Sequence, residues 1–534
     1  MVRFELSSSL IKMNTVDNRI DINDGQGQYK TPWIQMGDGI SLESAEKIRL
    51  SGDGTTFAIT SNGYDSTKGI VKVFTWNSTN YEWTQKGNDY IGNSNEYISS
   101  DLSLSDDGDI IVISSYLDDN SNGTNAGKVL VREWNNSTSS WNQKGNTILG
   151  DSADDKLGYT TALSGDGTTV ATYALNSYVK IYRFDTSSNN WSQMGNTFDS
   201  SINSDFGYSS SSNANFGYSL SLSTDGEIIA IGAREGGNSN EGFVQVYKWD
   251  TTVSYPGSWV QKGDDIIGEN SNDQSGYSVS ISGNGNVIAV GSPLFKNSSA
   301  YYYGQVIVYE HNSNTTNWDK RGSNIDGDLL GNRFGENVSL SNDGTILAVG
   351  NSYSGELSSY NLNKIRIFEW HTSTSSWEEN TNNISGDEYF YISRNVSLSN
   401  DGATIATTLV SELDYNIVYG NVYSTVSLGD MRINGNAVIN SKVGLNNNGT
   451  IDFGNEGSKL TINGNLKTMS WNRPYFIKVQ LEADDIGLKS DSSDYISGYY
   501  VVGSNNSIPL VKQFSGTDYD FNNTDWNETN SEWT

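Results

Sequence analysis

The run W-V-Q-K-G (259–263), followed by G-Y-S-V-S-I-S-G-N-G-N-V-I-A-V-G (276–291) and G-Q-V-I-V-Y-E (304–310), decides how this 534-residue chain is read. The same order of phrases returns after Trp83, Trp141, Trp191, Trp318 and Trp377. A repeat of this length is one supersecondary unit that cannot bury its apolar face alone and must pack on its neighbours. Residues shared by every unit build the scaffold, so activity has to lie in what varies.

Each unit divides into four short segments. The first is the alternating G-Y-S-V-S-I-S (276–282), closed by a turn such as Gly52-Asp53-Gly54, Asp107-Gly108, Asp225-Gly226 or Asp343-Gly344. The second is V-I-A-V-G (287–291), matched by I-I-A-I-G (228–232) and I-L-A-V-G (346–350). The third is V-Q-V-Y-K-W (244–249), matched by V-K-V-F-T-W (71–76) and I-R-I-F-E-W (365–370). The fourth carries Trp-x-Gln-x-Gly. β-Branched and aromatic residues at period two, bounded by Gly, Asp and Asn, predict strands. Four antiparallel strands repeated radially predict a propeller blade.

First-strand segments begin near Ile48, Asp101, Tyr159, Tyr218, Tyr277, Asn337 and Asn395, which predicts seven blades. The last unit has N-V-S-L-S (395–399), T-I-A-T-T-L (404–409) and G-N-V-Y-S-T-V (420–426) but no Trp-x-Gln-x-Gly. That phrase stands at the other end of the chain, at Trp33-Ile34-Gln35-Met36-Gly37. The expected fold is therefore all-β: a seven-bladed β-propeller over 31–428, closed by an N-terminal strand. An open solenoid would need no such complementary deficit. Of 14 Trp, seven sit in fourth strands and Trp76, Trp134, Trp249 and Trp370 end third strands, a pattern of core packing rather than of a ligand cage.

Composition narrows the function. A formal net charge of −30 opposes binding to nucleic acid or anionic lipid. With no Cys there are no disulfides, thiolate metal sites or Cys nucleophiles. No apolar run is long enough to span a bilayer as a helix, so no membrane insertion is expected. The start, M-V-R-F-E-L-S-S-S-L-I-K-M, does not read as a secretion signal. That leaves cytoplasmic synthesis and assembly, or a signal already removed.

The stretch F-G-Y-S-L-S-L-S-T-D-G-E-I-I-A-I-G-A (216–233), with Val287-Ile288-Ala289-Val290-Gly291-Ser292-Pro293, resembles the FG-GAP repeat of integrin α-type propellers. The resemblance runs over roughly 31–428. It implies the propeller fold and a place among adhesion proteins, bacterial surface proteins and proteins of large algal viruses. Integrin-type repeats often hold Ca²⁺ on a D-x-D-x-D-G loop, but here the connection is only S-G-D-G-T, S-T-D-G-E or S-N-D-G-T. One or two carboxylates cannot supply the six to eight oxygens Ca²⁺ takes, so no metal or cofactor is expected.

No catalytic constellation stands out. His311 ends a third strand where sister blades have Trp and reads as an aromatic substitute, while His371 falls on a polar turn. Ser51-Gly52-Asp53-Gly54-Thr55-Thr56-Phe57 resembles a sialidase Asp-box but is one residue short and recurs as the ordinary first hairpin. N-x-S/T sequons such as Asn77, Asn122, Asn136, Asn190, Asn297 and Asn314 are what chance supplies in so Asn-rich a chain, since Asn337 and Asn395 match inside strands. Variable loops on a rigid scaffold are where binding usually sits. The loop S-P-L-F-K-N-S-S-A-Y-Y-Y-G (292–304) offers Phe295, Tyr301, Tyr302 and Tyr303 as ligand-binding candidates; the plainer alternative is that the tyrosines cover the channel mouth. The insertion 200–215 enlarges the same face.

Residues 1–30 read as an N-terminal extension, 429–470 as a β-helical or shaft-like segment, and 471–534 as a small β module with a frayed tail. In 429–470, short apolar pairs alternate with Asn434-Gly435, Asn448-Gly449 and Asn463-Gly464 turns, which resembles the shafts of phage and giant-virus fibres. A meandering linker is the competing reading. Together these features point to a non-enzymatic attachment or structural protein, a fibre or surface component of a virion of a large virus. It would bind a protein or glycan receptor, or a capsid protein. An extracellular adhesin or carbohydrate-binding propeller is the alternative, with a propeller glycoside hydrolase behind it. Val438-Ile439 and Leu460-Thr461-Ile462 are too few to form a core in one chain, whereas three chains could bury them together. A shaft therefore predicts a homotrimer for the full chain and a monomer for a chain ending at Leu428, read by light scattering. A monomeric full chain would make the segment a linker.

Overall fold

The computed structural model describes residues 33–425 apart from loop stretches, the longest being 200–214 and 352–363, together with short strands in 1–32 and 426–534. The chain divides into two compact units, Gln35–Ser424 and Met1–Ile34 with Thr425–Thr534.

Gln35–Ser424 carries seven antiparallel sheets. The fourth is representative: Phe216–Leu222, Ile228–Ala233, Phe243–Asp250 and Ser258–Gln261 follow one another in space as in sequence. In the first five blades every residue of the second strand is buried, because each sheet is covered on both faces by its neighbours. The first strands of successive blades staple one another through serines. Ser221, Ser280, Ser339 and Ser397 Oγ accept from the backbone N–H of Ile281, Leu340, Leu398 and Leu50 at 2.9–3.0 Å. The last of these bonds joins blade seven to blade one. The protein is an all-β, seven-bladed propeller.

Closure comes from the N-terminal side, as the split repeat predicts. Trp33–Gln35 lies beside Ile417–Thr425 in the seventh sheet, and Met36 N–H donates to Val422 O at 2.7 Å. Ile40–Glu43 continues the edge, with Ile40 opposite Gly420. The fourth strand is more elaborate than the sequence reading, since it comes in two pieces. In blade one, Glu82–Gln85 pairs with Phe74–Asn77, and Tyr90–Ile91 pairs with Val71 and Ile70 of the same third strand.

The break falls at the Gly of Trp-x-Gln-x-Gly, and the next blade explains it. Trp141 Nε1 donates to Lys86 O, and the same bond recurs from Trp83 to Met36, Trp191 to Lys144, Trp259 to Met194, Trp318 to Lys262 and Trp377 to Arg321, all at 2.7–3.0 Å. The carbonyl is exposed for capture because the following glycine turns the chain away (Gly87, φ 81°). A Cβ there would lie 2.8 Å from Trp134 and 2.9 Å from Trp141. Blade six has Thr381 in place of the glycine, and its fourth strand runs unbroken over Ser376–Ser385 with a register shift. In six blades the Trp packs tilted or edge-on against the aromatic ending the third strand, at 5.1–5.4 Å between centroids. His311 does this in blade five, as expected of an aromatic substitute.

The first hairpins account for the Asp-Gly turns. In each, a Ser hydroxyl donates to the turn Asp or Asn two residues on, at 2.5–2.9 Å. The same acceptor takes a backbone N–H beyond the glycine, at 2.9–3.0 Å. All seven serines are at most 1% exposed, and each Oγ also accepts the backbone N–H five residues on, at the start of the second strand, at 2.9–3.0 Å. The turns also join one another. Backbone N–H of Asp53, Asp106, Asp166, Thr224, Gly283, Asn342 and Asn400 donates in turn to the O of Asp106, Gly165, Thr224, Gly283, Asn342, Asn400 and Gly52, at 2.7–3.0 Å. Seven hairpins thus close a hydrogen-bonded annulus at one mouth of the channel.

In the other unit, Val2–Arg3 pairs parallel with Ile477–Lys478, and Tyr475–Glu482 pairs antiparallel with Tyr495–Val502. Ala437–Ile439 lies parallel to Leu460–Ile462, and Trp526–Asn527 pairs with Glu532–Trp533. Within the expected small β module, the apolar run I-P-L-V-K-Q-F (508–514), which reads as a further strand, lies outside the described residues.

Two expectations follow. Removing residues 1–38 takes away the Met36 N–H that pairs Val422 and the carbonyl that Trp83 holds, so the ring loses its closure. The melting midpoint should fall in one cooperative transition; an unchanged midpoint refutes the closure. Second, burial is the main cause that raises the Asp106 carboxyl above its usual range, and the nearby Asp107, Asp166 and Asp53 add to it against the bond from Asn400. The folded state then holds this proton to higher pH than the unfolded chain, so stability falls as pH rises through the folded value. Asp106→Asn should melt above the parent at pH 7, with the gain vanishing below the ordinary carboxyl value of about 4. Parallel melting curves across pH would refute this.

Candidate functional site: the tyrosine-lined channel mouth

Every first strand ends in the annulus, so its beginning lies at the opposite mouth, the loop face. There Tyr159, Tyr218 and Tyr277 occupy one repeat position in blades three, four and five, and Glu336 takes the place in blade six. In blades three and four this position falls inside a register shift, between Leu157 and Thr160 and between Phe216 and Ser219. Bulges of this kind twist a strand and re-aim a side chain.

The tyrosines form a continuous arc. Tyr116, at the end of a second strand in blade two, lies 5.5 Å from Tyr159; Tyr159 lies 6.1 Å from Tyr218; and Tyr218 lies 5.0 Å from Tyr277. The Arg234 guanidinium covers Tyr218 at 3.8 Å and reaches Tyr277 at 5.6 Å. Its charge is met by Glu235 at 3.2 Å. The Tyr277 hydroxyl donates to Glu336, which is 5% exposed, at 3.4 Å. Burial raises the Tyr116, Tyr159 and Tyr218 hydroxyls above their ordinary value, so all three remain protonated donors at neutral pH. Flat aromatic faces, phenolic donors, a stacked guanidinium and a carboxylate suit a hydroxyl-rich or amide-rich ligand.

The loop candidates are placed differently. Phe295, Tyr302 and Tyr303 are half-buried, and Tyr301 lies outside the described residues. Phe295 O accepts from Tyr303 N–H at 3.0 Å, which folds the loop onto itself. Tyr302 and Tyr303 O accept from Gly331 and Phe334 N–H of the segment leading into blade six. The Tyr302 ring carries the Lys296 ammonium at 4.7 Å. Main-chain latching is thus the shown role of Tyr303, and Tyr302 offers a partly open ring on the same face as the arc. The arc itself was visible as Gly158-Tyr159, Gly217-Tyr218 and Gly276-Tyr277 at one repeat position. Reading those tyrosines only as strand starts hid that sevenfold geometry gathers them around one mouth.

Among the described residues no group of three or more His, Asp or Glu gathers as a metal site. His371 stands 3.5 Å from Glu378 and is 39% exposed, which places it at the surface.

No family model matches the chain, and no curated protein matches it. Among solved structures, it is similar to a putative 6-phosphogluconolactonase from Bacteroides uniformis, at 14% identity and a TM-score of 0.44, over 72% of this chain and 95% of that one. It is also similar to the Cps50 (Swd1) β-propeller domain of Myceliophteria thermophila, at 11% identity and a TM-score of 0.47, over 74% of this chain and all of that one.

Proposed function

We propose that this protein is a non-enzymatic attachment or structural protein that engages a protein or glycan partner at the tyrosine-lined mouth. The observation that carries the reading is the arc from Tyr116 to Tyr277 with Arg234 laid across it. Aromatic faces and arginine are the residue types that dominate binding hot spots, because they present large, stiff contact areas with polar edges. The turn carboxylates are engaged in their own hairpins, which favours scaffold over catalysis for the acidic residues of the repeats. A place on a virion surface, as a fibre or decoration component, draws its support from the sequence: the FG-GAP-like ring, the shaft-like segment and the absence of Cys. A cellular adhesin would use the same mouth.

A glycan array run beside a hydrolysis screen tests both halves of the proposal. Tyr218→Ala and Arg234→Ala should each weaken binding to the best array ligand by about tenfold or more. No released sugar is expected. Hydrolysis of the bound glycan, or binding indifferent to both substitutions, overturns the reading.

A further inference from the structure

The latch between blades is complete at six junctions. It has three parts: an indole N–H on the preceding carbonyl, a glycine after that carbonyl, and an aromatic ring against the indole. Between blades six and seven none of the three is found among the described residues. Trp33, the seventh Trp of the series, has its Nε1 buried without a hydrogen-bond partner among them. Thr381 stands where the glycine belongs. Thr425 stands at the repeat position of Trp76, since Met36 N–H to Val422 O is the counterpart of Lys86 N–H to Val73 O.

The first two absences have one cause. A Cβ at Gly87, Gly145, Gly195, Gly263 or Gly322 would lie 2.7–3.2 Å from Cδ1 of the indole that the next blade lays there. A residue with a side chain therefore keeps the indole off the carbonyl. The same glycines turn at φ 68–83°, a conformation that a β-branched residue such as Thr disfavours. With Thr381 the outer strand instead runs on over Ser376–Ser385 and shifts register between the partners of Ile365 and Ile367.

The inner half of this junction is ordinary. Leu398 N–H donates to Ser339 Oγ at 3.0 Å and Asn342 N–H to Asn400 O at 2.8 Å, as at the sister junctions. The junction of blades seven and one also keeps its latch, because Trp83 Nε1 holds Met36 O at 2.8 Å. A ring closed by a separate strand is thus latched beside that strand and unlatched one junction earlier.

We propose that the propeller opens between blades six and seven: the outer strands part while the inner hairpins, still bonded to one another, act as the hinge. Parting exposes Ile367, which is 2% exposed in the closed ring. It occupies the position of Val131, Val308 and Val422, each packed on the following blade. The tyrosine arc lies in blades two to five, so the opening leaves it whole.

The chain has no Cys, so one introduced thiol reads the opening without background. Native-state labelling of Ile367→Cys should be about tenfold faster than that of Val131→Cys, Val308→Cys or Val422→Cys, the scale of one hydrogen bond. Adding Thr381→Gly, which restores the glycine, should slow Ile367→Cys labelling to the rate of the others, although glycine ordinarily weakens a strand. Independently of the thiols, Trp33→Phe should leave the melting midpoint unchanged, whereas Trp141→Phe should lower it. Equal labelling at the four positions overturns the proposal. So does Ile367→Cys labelling that Thr381→Gly does not slow, or a loss from Trp33→Phe as large as that from Trp141→Phe.

Discussion

The bond from a tryptophan indole to a backbone carbonyl of the preceding blade is the constraint on which the ring depends. It recurs at six junctions, and at each the acceptor is the residue before the glycine or its counterpart. One such bond contributes about 1 kcal/mol net, and the aromatic pair beneath it a similar amount. Its larger effect is geometric. The indole fixes the distance and tilt between sheets, and only a residue without a side chain leaves room for it. Glycine then breaks the outer strand, which is why that strand comes in two pieces wherever the glycine is present.

A second constraint works at the channel. Only 35% of the residues are hydrophobic, so much of what is buried is polar and must be hydrogen-bonded. The serines of the first hairpins hold the turn Asp and the backbone of the second strand, and the serines of the first strands hold the next blade. Acidic residues that resemble a calcium loop in sequence are turn acceptors in structure. Backbone bonds around all seven hairpins make one mouth of the channel a closed ring, leaving the other as the place where side chains differ.

Near-symmetry of this kind makes departures informative. Seven equivalent positions around the loop-face mouth carry three tyrosines in a row, and Arg234 is set across them from a second strand. Four equivalent cations lie between blades, and Lys262 alone among them bonds carbonyl and amide oxygens where the others meet a carboxylate. Neither feature is needed to hold the sheets together, because the sister blades do so without it.

Sequence by itself determined the strands, their order, the blade count and the closure, since these follow from period-two patterning, Asp-Gly turns and the split Trp-x-Gln-x-Gly repeat. It also determined that the tryptophans pair within blades and that His311 stands in for one, although only Trp83, Trp191, Trp249 and Trp318 are fully in the core and the other blade tryptophans are half-buried. Tertiary structure decided what lies beside what. Tyr159, Tyr218 and Tyr277 are 59 residues apart from one to the next, yet share one mouth because each blade rotates the same position around one axis. Val2–Arg3 joins Ile477–Lys478 across almost the whole chain, where the sequence offered only an unattached extension. Local pattern encodes hydrogen bonding within a blade; contacts between blades, and between chain ends, depend on a closed ring that no single stretch of sequence describes.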